Sequence, residues 1–397
     1  MQYFRFLSMG LFILMLGCNP SNPTTDLDDL EHLVSRIKQR YAPDKRVKLF
    51  AIEGVQNPDK TLVLQGKTTE KEALSALLDS LQARDILFDN QVRVLPDTAV
   101  GNLQYAVGRN SVLNIRSKPK HSAELGTQGL LGMPLRVLDK QGDFYQVQTP
   151  DQYISWVDKG GITRMDEASF NQWEKQTKVL FTQITGWVYE STAPKQAVSD
   201  IVFGGKLVYL DENEDFFKVK YPDNRIGYLK KSESVLYADW QAQLSVSPEN
   251  MLAAGNGLMG VPYLWGGTST KGMDCSGFTK TVYLMNGFII PRDASQQVLV
   301  GDIIDENLQF EGLEVGDLLF FGKKATSDSK QKVTHVGMWI GDKRFIHASG
   351  NVHISSIDPN DTLYDEFNVN RYLGSKRYLN SNDPGIIDLK KPRKIKG

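Results

Sequence analysis

The sequence predicts a multidomain α+β protein: a small α+β domain, two small β-barrels in tandem, and a C-terminal α+β domain. Three observations lead there. The 397 residues exceed what a single hydrophobic core organises. The apolar pattern changes from helical steps to short strands between turns, and that strand plan occurs twice. A helical pattern at residue 275 is then followed by two alternating runs about a turn, the order of a helix packed on an antiparallel sheet.

Residues 1–25 read as an export segment. Arg5 precedes the apolar run Phe6–Leu16, too short for a bilayer core of ~30 Å but suited to a signal sequence. Leu14-Met15-Leu16-Gly17-Cys18 resembles a bacterial lipobox. That resemblance implies lipidation at Cys18, a tether at Ser21–Thr25, and a membrane-anchored lipoprotein facing the periplasm.

Residues 26–105 carry an amphipathic helix over Leu27–Tyr41, with Leu30, Leu33, Val34 and Ile37 on one face. Strands are expected at Val47–Val55 and Thr61–Gln65, a helix capped by Thr68 or Thr69 over Glu70–Arg84, and a third strand at Phe88–Val94. This order resembles a phospholipid-binding-type BON module; nothing in it reads as catalytic, and a packing or spacer role is the expectation.

Residues 106–165 contain the first barrel, with strands at Ser111–Arg116, Leu135–Leu138, Phe144–Thr149 and Ile154–Val157. Leu113–Pro119 and Tyr153–Val157 resemble the opening and closing strands of bacterial SH3-like domains. Residues 166–240 repeat the plan in more diverged form, after a joint at Asp166–Lys175. Residues 241–385 form the last domain, and 386–397 a basic tail that reads as a solvated end. The net charge of −1 gives no ground for nucleic-acid or membrane-surface binding.

The chemistry sits in the last domain. Cys18 and Cys275 are the two cysteines; with Cys18 lipidated, Cys275 has no disulfide partner and must be either buried or used. It opens a helix expected over Cys275–Asn286 and closed by Gly287. There the helix dipole and first-turn N–H groups favour a thiolate and offer an oxyanion hole, and a protonated histidine would complete an ion pair. Asp274 is placed to cap this helix; Ser276 reads as a cap rather than a reactant. Val333–Ile340 and Arg344–Ala348 form a hairpin about Asp342, which sets residue 335 opposite roughly 347–349. His335 then suits a general base and His347 its orienting partner. Two other readings stay open: satisfied core histidines, or a Cys/His/His zinc site without a further ligand to support it. His121 and His353 are expected to be structural or on the surface.

Pro262–Gly267, Asp274-Cys275-Ser276-Gly277-Phe278, Pro291–Gln297, Gly316-Asp317-Leu318, His335-Val336-Gly337 and Ile346-His347-Ala348 resemble the NlpC family of papain-like cell-wall cysteine peptidases, over about 250–375. With the barrels, the layout resembles γ-D-glutamyl-L-diamino acid endopeptidases that trim muropeptides. The resemblance implies Cys275 as nucleophile, His335 as base and His347 as third catalytic residue. It puts substrate-binding positions at Tyr263, Trp265, Asp274, Ser276 and Asp293, with Glu124 and Tyr153 closing the cleft from the first barrel. Ala294 stands where some relatives carry serine, removing one polar contact to a D-Glu carboxylate.

The expected activity is hydrolysis of the γ-D-Glu–diamino acid bond in peptidoglycan stem peptides with a free N-terminal L-Ala, by a monomer needing no metal or organic cofactor. Cleavage of intact peptidoglycan and non-catalytic wall binding are the rivals.

Overall fold

The computed structural model describes residues 27–58, 61–193 and 195–391. The expected signal, tether and lipidation site Cys18, and residues 392–397 of the tail, lie outside them. The chain forms two compact units. Among the described residues, one takes 27–43 and 50–93; the other takes Asp44–Leu49 and 94–391.

In the first unit, the helix Leu27–Tyr41 buries Leu30, Leu33 and Ile37, and the helix Lys71–Gln82 buries Ala73, Leu74, Leu77 and Leu81. Strands Phe50–Gln56 and Leu62–Thr68 pair antiparallel, and Phe88–Asn90 adds parallel to the second. The expected cap differs in detail. Thr68 Oγ1 accepts the N–H of Glu70, which is itself the N-cap and makes no side-chain cap bond. The first strand also starts at Phe50 rather than Val47, because the preceding residues belong to the other unit.

The second unit holds two seven-stranded antiparallel sheets and the C-terminal domain. The first sheet encloses Leu113, Ile115, Val137, Val147 and Val157; the second encloses Val179, Phe181, Val188, Leu207, Val219 and Leu229. Inward apolar residues alternate with outward polar ones, as a small closed barrel requires. Between them runs the helix Glu167–Lys175, with Asp166 Oδ1 accepting the N–H of Ser169 at 2.8 Å.

The C-terminal domain packs the helix Cys275–Met285 on a six-stranded sheet, whose order by first residue is 302–372–318–332–344–351. Phe278 and Val282 are fully buried in one cluster with Val336, Met338 and Ile346. Truncating such a phenylalanine costs ~3–5 kcal/mol. The helix stops because Gly287 turns left-handed, φ +85°. Residues 386–391 are not all tail: Ile387–Asp388 pairs with Phe288–Ile289.

The first barrel is fastened to this domain at several places. Gln128 exchanges backbone and side-chain hydrogen bonds with Thr268 at 2.9–3.1 Å and accepts from Ser269. Gly266, at φ +80°, lies so close that a Cβ would stand 2.1 Å from the carbonyl oxygen of Leu125. Lys280, on the Cys275 helix, donates to Asp151 at 2.6 Å in a nearly buried ion pair.

Candidate active site

Helix and sheet meet at the thiol. Cys275 is the first residue of its helix, 6 % exposed, and packs in one buried cluster with Val336, the residue after His335. Strand register positions the histidines. Met338 pairs with Ile346 and Trp339 with Phe345, a register that sets Gly337 opposite His347 and His335 diagonal to it. A Cβ on Gly337 would come within 2.9 Å of the Phe345 ring and 3.2 Å of His347 Cβ, so glycine lets the strands close there. The turn is tight because Asp342 and Lys343 both take positive φ, 49° and 57°.

His335 Nε2 lies 2.7 Å from His347 Nδ1, and His347 Nε2 lies 3.0 Å from Ser355 Oγ. Two opposite tautomer chains satisfy these contacts, and one of them frees a ring nitrogen of His335 to act as a base. In that chain the Nε2–H of His335 donates to His347 and the Nε2–H of His347 donates to Ser355, which leaves His335 Nδ1 as an acceptor. Two imidazole ligands of one tetrahedral zinc stand farther apart, ~3.3 Å. Among the described residues no cluster of three or more His, Cys, Asp or Glu is arranged to hold a metal. The His353 ring lies against His347, tilted by 56° with ring centres 4.4 Å apart.

Burial pushes the Cys275 thiol up to about 12, and Asp274 adds to the effect; the N–H of Val336, Arg292 and the N–H of Ser276 oppose it. Burial likewise drives His335 down to about 3 and His347 down to about 2. The resting pair is therefore thiol and neutral imidazole. The ion pair expected from the sequence is not the form that these surroundings favour, because desolvation outweighs the helix N-terminus.

Asp274 caps the helix, its Oδ1 accepting the N–H of Gly277 at 2.8 Å and its Oδ2 that of Gly266 at 2.9 Å. Arg292, 1 % exposed, reaches both carboxylate oxygens at 3.1 and 2.7 Å and Ser276 Oγ at 2.9 Å. Ser276 is thus not the cap; its hydroxyl donates to Asp274 at 3.2 Å. The side chains of Asp274 and Ser276 hold the helix start in place, and Arg292 is a site residue that sequence reasoning passed over beside Asp293.

A cleft of about 410 Å³ passes the thiol, lined by Cys275, Ser276, Asp293, Trp265, Glu124 and Tyr153 with their neighbours. Trp265 is exposed, and its Nε1–H donates to Glu124 Oε1 at 2.6 Å across the barrel boundary. Burial, then Asp293, pushes the Tyr153 phenol up to about 12, so it stays a donor. Burial first, then Cys275 and Asp274, raise the pKa of the half-buried Tyr263 phenol and keep it protonated. Asp293 precedes the short helix Ala294–Gln297, its N–H donating to Gln296 Oε1 at 3.1 Å. Its Oδ2 accepts Nη1 of Arg46 at 2.7 Å. Burial raises the Asp293 carboxyl, while Arg292 and Arg46 pull it back. Arg46 carried no signal in Pro43-Asp44-Lys45-Arg46, a stretch read as part of the N-terminal domain.

Comparison with known proteins agrees with this geometry. The NlpC/P60 family profile matches residues 260–371, and that of the bacterial dipeptidyl-peptidase Sh3 domain matches 115–162. A γ-D-glutamyl-L-lysine dipeptidyl-peptidase of Bacillus cereus is 31% identical over 264 residues, 64% of this chain and 76% of that protein. Dipeptidyl-peptidase 6 of Lysinibacillus sphaericus is 29% identical over 261 residues, 63% of this chain and 91% of that protein. The crystal structure of an NlpC/P60 family protein from Bacillus cereus superposes with a TM-score of 0.59 at 27% identity, covering 69% of this chain and 99% of that one. These matches, over a domain with a thiol at a helix start and a hydrogen-bonded histidine pair on the sheet packed against that helix, place this chain in the NlpC/P60 family of cysteine peptidases.

Proposed function

We propose that this protein hydrolyses the γ-D-Glu–diamino acid bond of peptidoglycan stem peptides that carry a free N-terminal L-Ala. The observation that carries the reading is the cleft end. It is walled by Glu124 and Tyr153 of the first barrel and contains the carboxylate Asp293, which suits an unblocked ammonium. The related γ-D-glutamyl-L-lysine dipeptidyl-peptidase supports the bond assigned.

Cys275 gives its proton to His335 Nδ1 as its sulfur attacks the γ-carbonyl carbon. The developing oxyanion takes hydrogen bonds from first-turn backbone N–H groups of the helix. The imidazolium returns the proton to the departing amine, leaving a thioester. Water, deprotonated by His335, then releases L-Ala-γ-D-Glu. His347 and Ser355 keep His335 in the required tautomer throughout. Anchoring through a lipid on Cys18 would hold this chemistry at the periplasmic face of a membrane.

Mass spectrometry of digests tests the assignment. Free L-Ala-γ-D-Glu-diamino acid should yield the dipeptide and the diamino acid, and the N-acylated peptide should survive. Equal cleavage of both, or release from whole sacculi at a matching rate, would replace this reading with action on intact wall.

A further inference from the structure

Arg46 comes from the segment Asp44–Leu49, part of the same compact unit as the barrels and the peptidase domain. It is pinned on several sides. Its N–H and Nε donate to Asp44 Oδ1 at 2.9 and 2.8 Å, and its Nη2 donates to Asp44 Oδ2 at 2.7 Å. Its carbonyl accepts the N–H of Ile154 at 2.6 Å, and Gln296 Nε2 donates to Asp44 Oδ2 at 2.7 Å. The remaining nitrogen, Nη1, donates to Asp293 Oδ2 at 2.7 Å and to Ser295 Oγ at 2.9 Å.

The charges around it do not cancel. Two carboxylates, Asp44 and Asp293, share one guanidinium, while Arg292 is taken up by Asp274 and stays 3.9 Å from Asp293. One negative charge is left over, which a single ammonium balances and a neutral N-acyl amide does not. A guanidinium held this firmly is a wall rather than a swinging plug, and only a planar fork spans both carboxylates.

We propose that Arg46 is a positioning residue that sets specificity at the amino end of the cleft, orienting Asp293 toward a free ammonium and closing the space beyond it. This rests on the assignment of Asp293 to that ammonium made above. The test is steady-state kinetics of the full chain on L-Ala-γ-D-Glu-diamino acid and its N-acetylated form, with Arg46→Gln, Arg46→Lys, Asp44→Asn and Asp293→Asn beside wild type. Arg46→Gln should raise KM for the free peptide about tenfold with kcat within about twofold, and narrow the discrimination against the N-acetylated peptide about tenfold. Arg46→Lys should recover part of the loss, and Asp44→Asn should reproduce the KM effect with Arg46 still present, which general misfolding would not. A lower KM for the free peptide in Arg46→Gln would show that Arg46 competes for Asp293 and would overturn the proposal. So would equal losses on both peptides. If wild type prefers free amino ends and Asp293→Asn keeps that preference, the ammonium assignment itself is wrong, and the proposal falls with it.

Discussion

His335 and His347 touch ring to ring, Nε2 to Nδ1 at 2.7 Å, from diagonal positions on adjacent strands. The second histidine is itself held by Ser355 and has the tilted ring of His353 against it. Replacing His347 with alanine removes the acceptor that fixes the tautomer of His335. The expected outcome is a fall in kcat of ~10²–10⁴-fold with KM little changed, checked by steady-state kinetics. Asparagine, which still offers an acceptor oxygen, should recover part of the rate.

The resting thiol should behave as a thiol. With Cys275 raised to about 12 by burial, the thiolate fraction grows with pH across the neutral range. Alkylation by iodoacetamide in the absence of substrate should therefore speed up about tenfold per pH unit between ~pH 6 and ~pH 9. A rate that is flat over that span would mean that the sulfur already rests as an ion pair with His335.

The bond between Lys280 and Asp151 joins the nucleophile's helix to the barrel loop that leads into Tyr153. Burial lowers the Lys280 ammonium, and Asp151 opposes that effect. Converting Asp151 to asparagine leaves that buried charge without its counterion, and urea denaturation should register a loss of ~3–5 kcal/mol. Pairing it with Lys280→Met should return much of the stability. If the double variant is as unstable as the single, the pair contributes by shape and not by charge.

Much of this was legible from residue patterns alone. Cys275 at a helix start, the hairpin about Asp342, and two strand-rich barrels follow from local periodicity and turn chemistry, which act over a few residues. The diagonal placement of the two histidines stayed within the expected register. What escaped depends on contacts distant in sequence. Arg292 looks like one more loop arginine until the fold buries it against Asp274, 18 residues away. Arg46 lies 247 residues from Asp293, in a stretch whose own pattern suggested only the approach to a strand. The protonation state escaped for the same reason: desolvation of Cys275 and His335 is set by everything packed around them, whereas a helix N-terminus shows in the sequence.

The interleaved path of the chain has a practical consequence. Residues 44–49 serve the downstream unit although they are flanked on both sides by residues of the upstream one. A protease nick or a gene trimmed just before Val94 would look like a clean excision of the first unit, yet it would carry off Arg46 and strip one side from the catalytic groove. Fragments made that way should be judged as altered enzymes, with their peptide preferences measured anew, and not as the parent with a spacer removed.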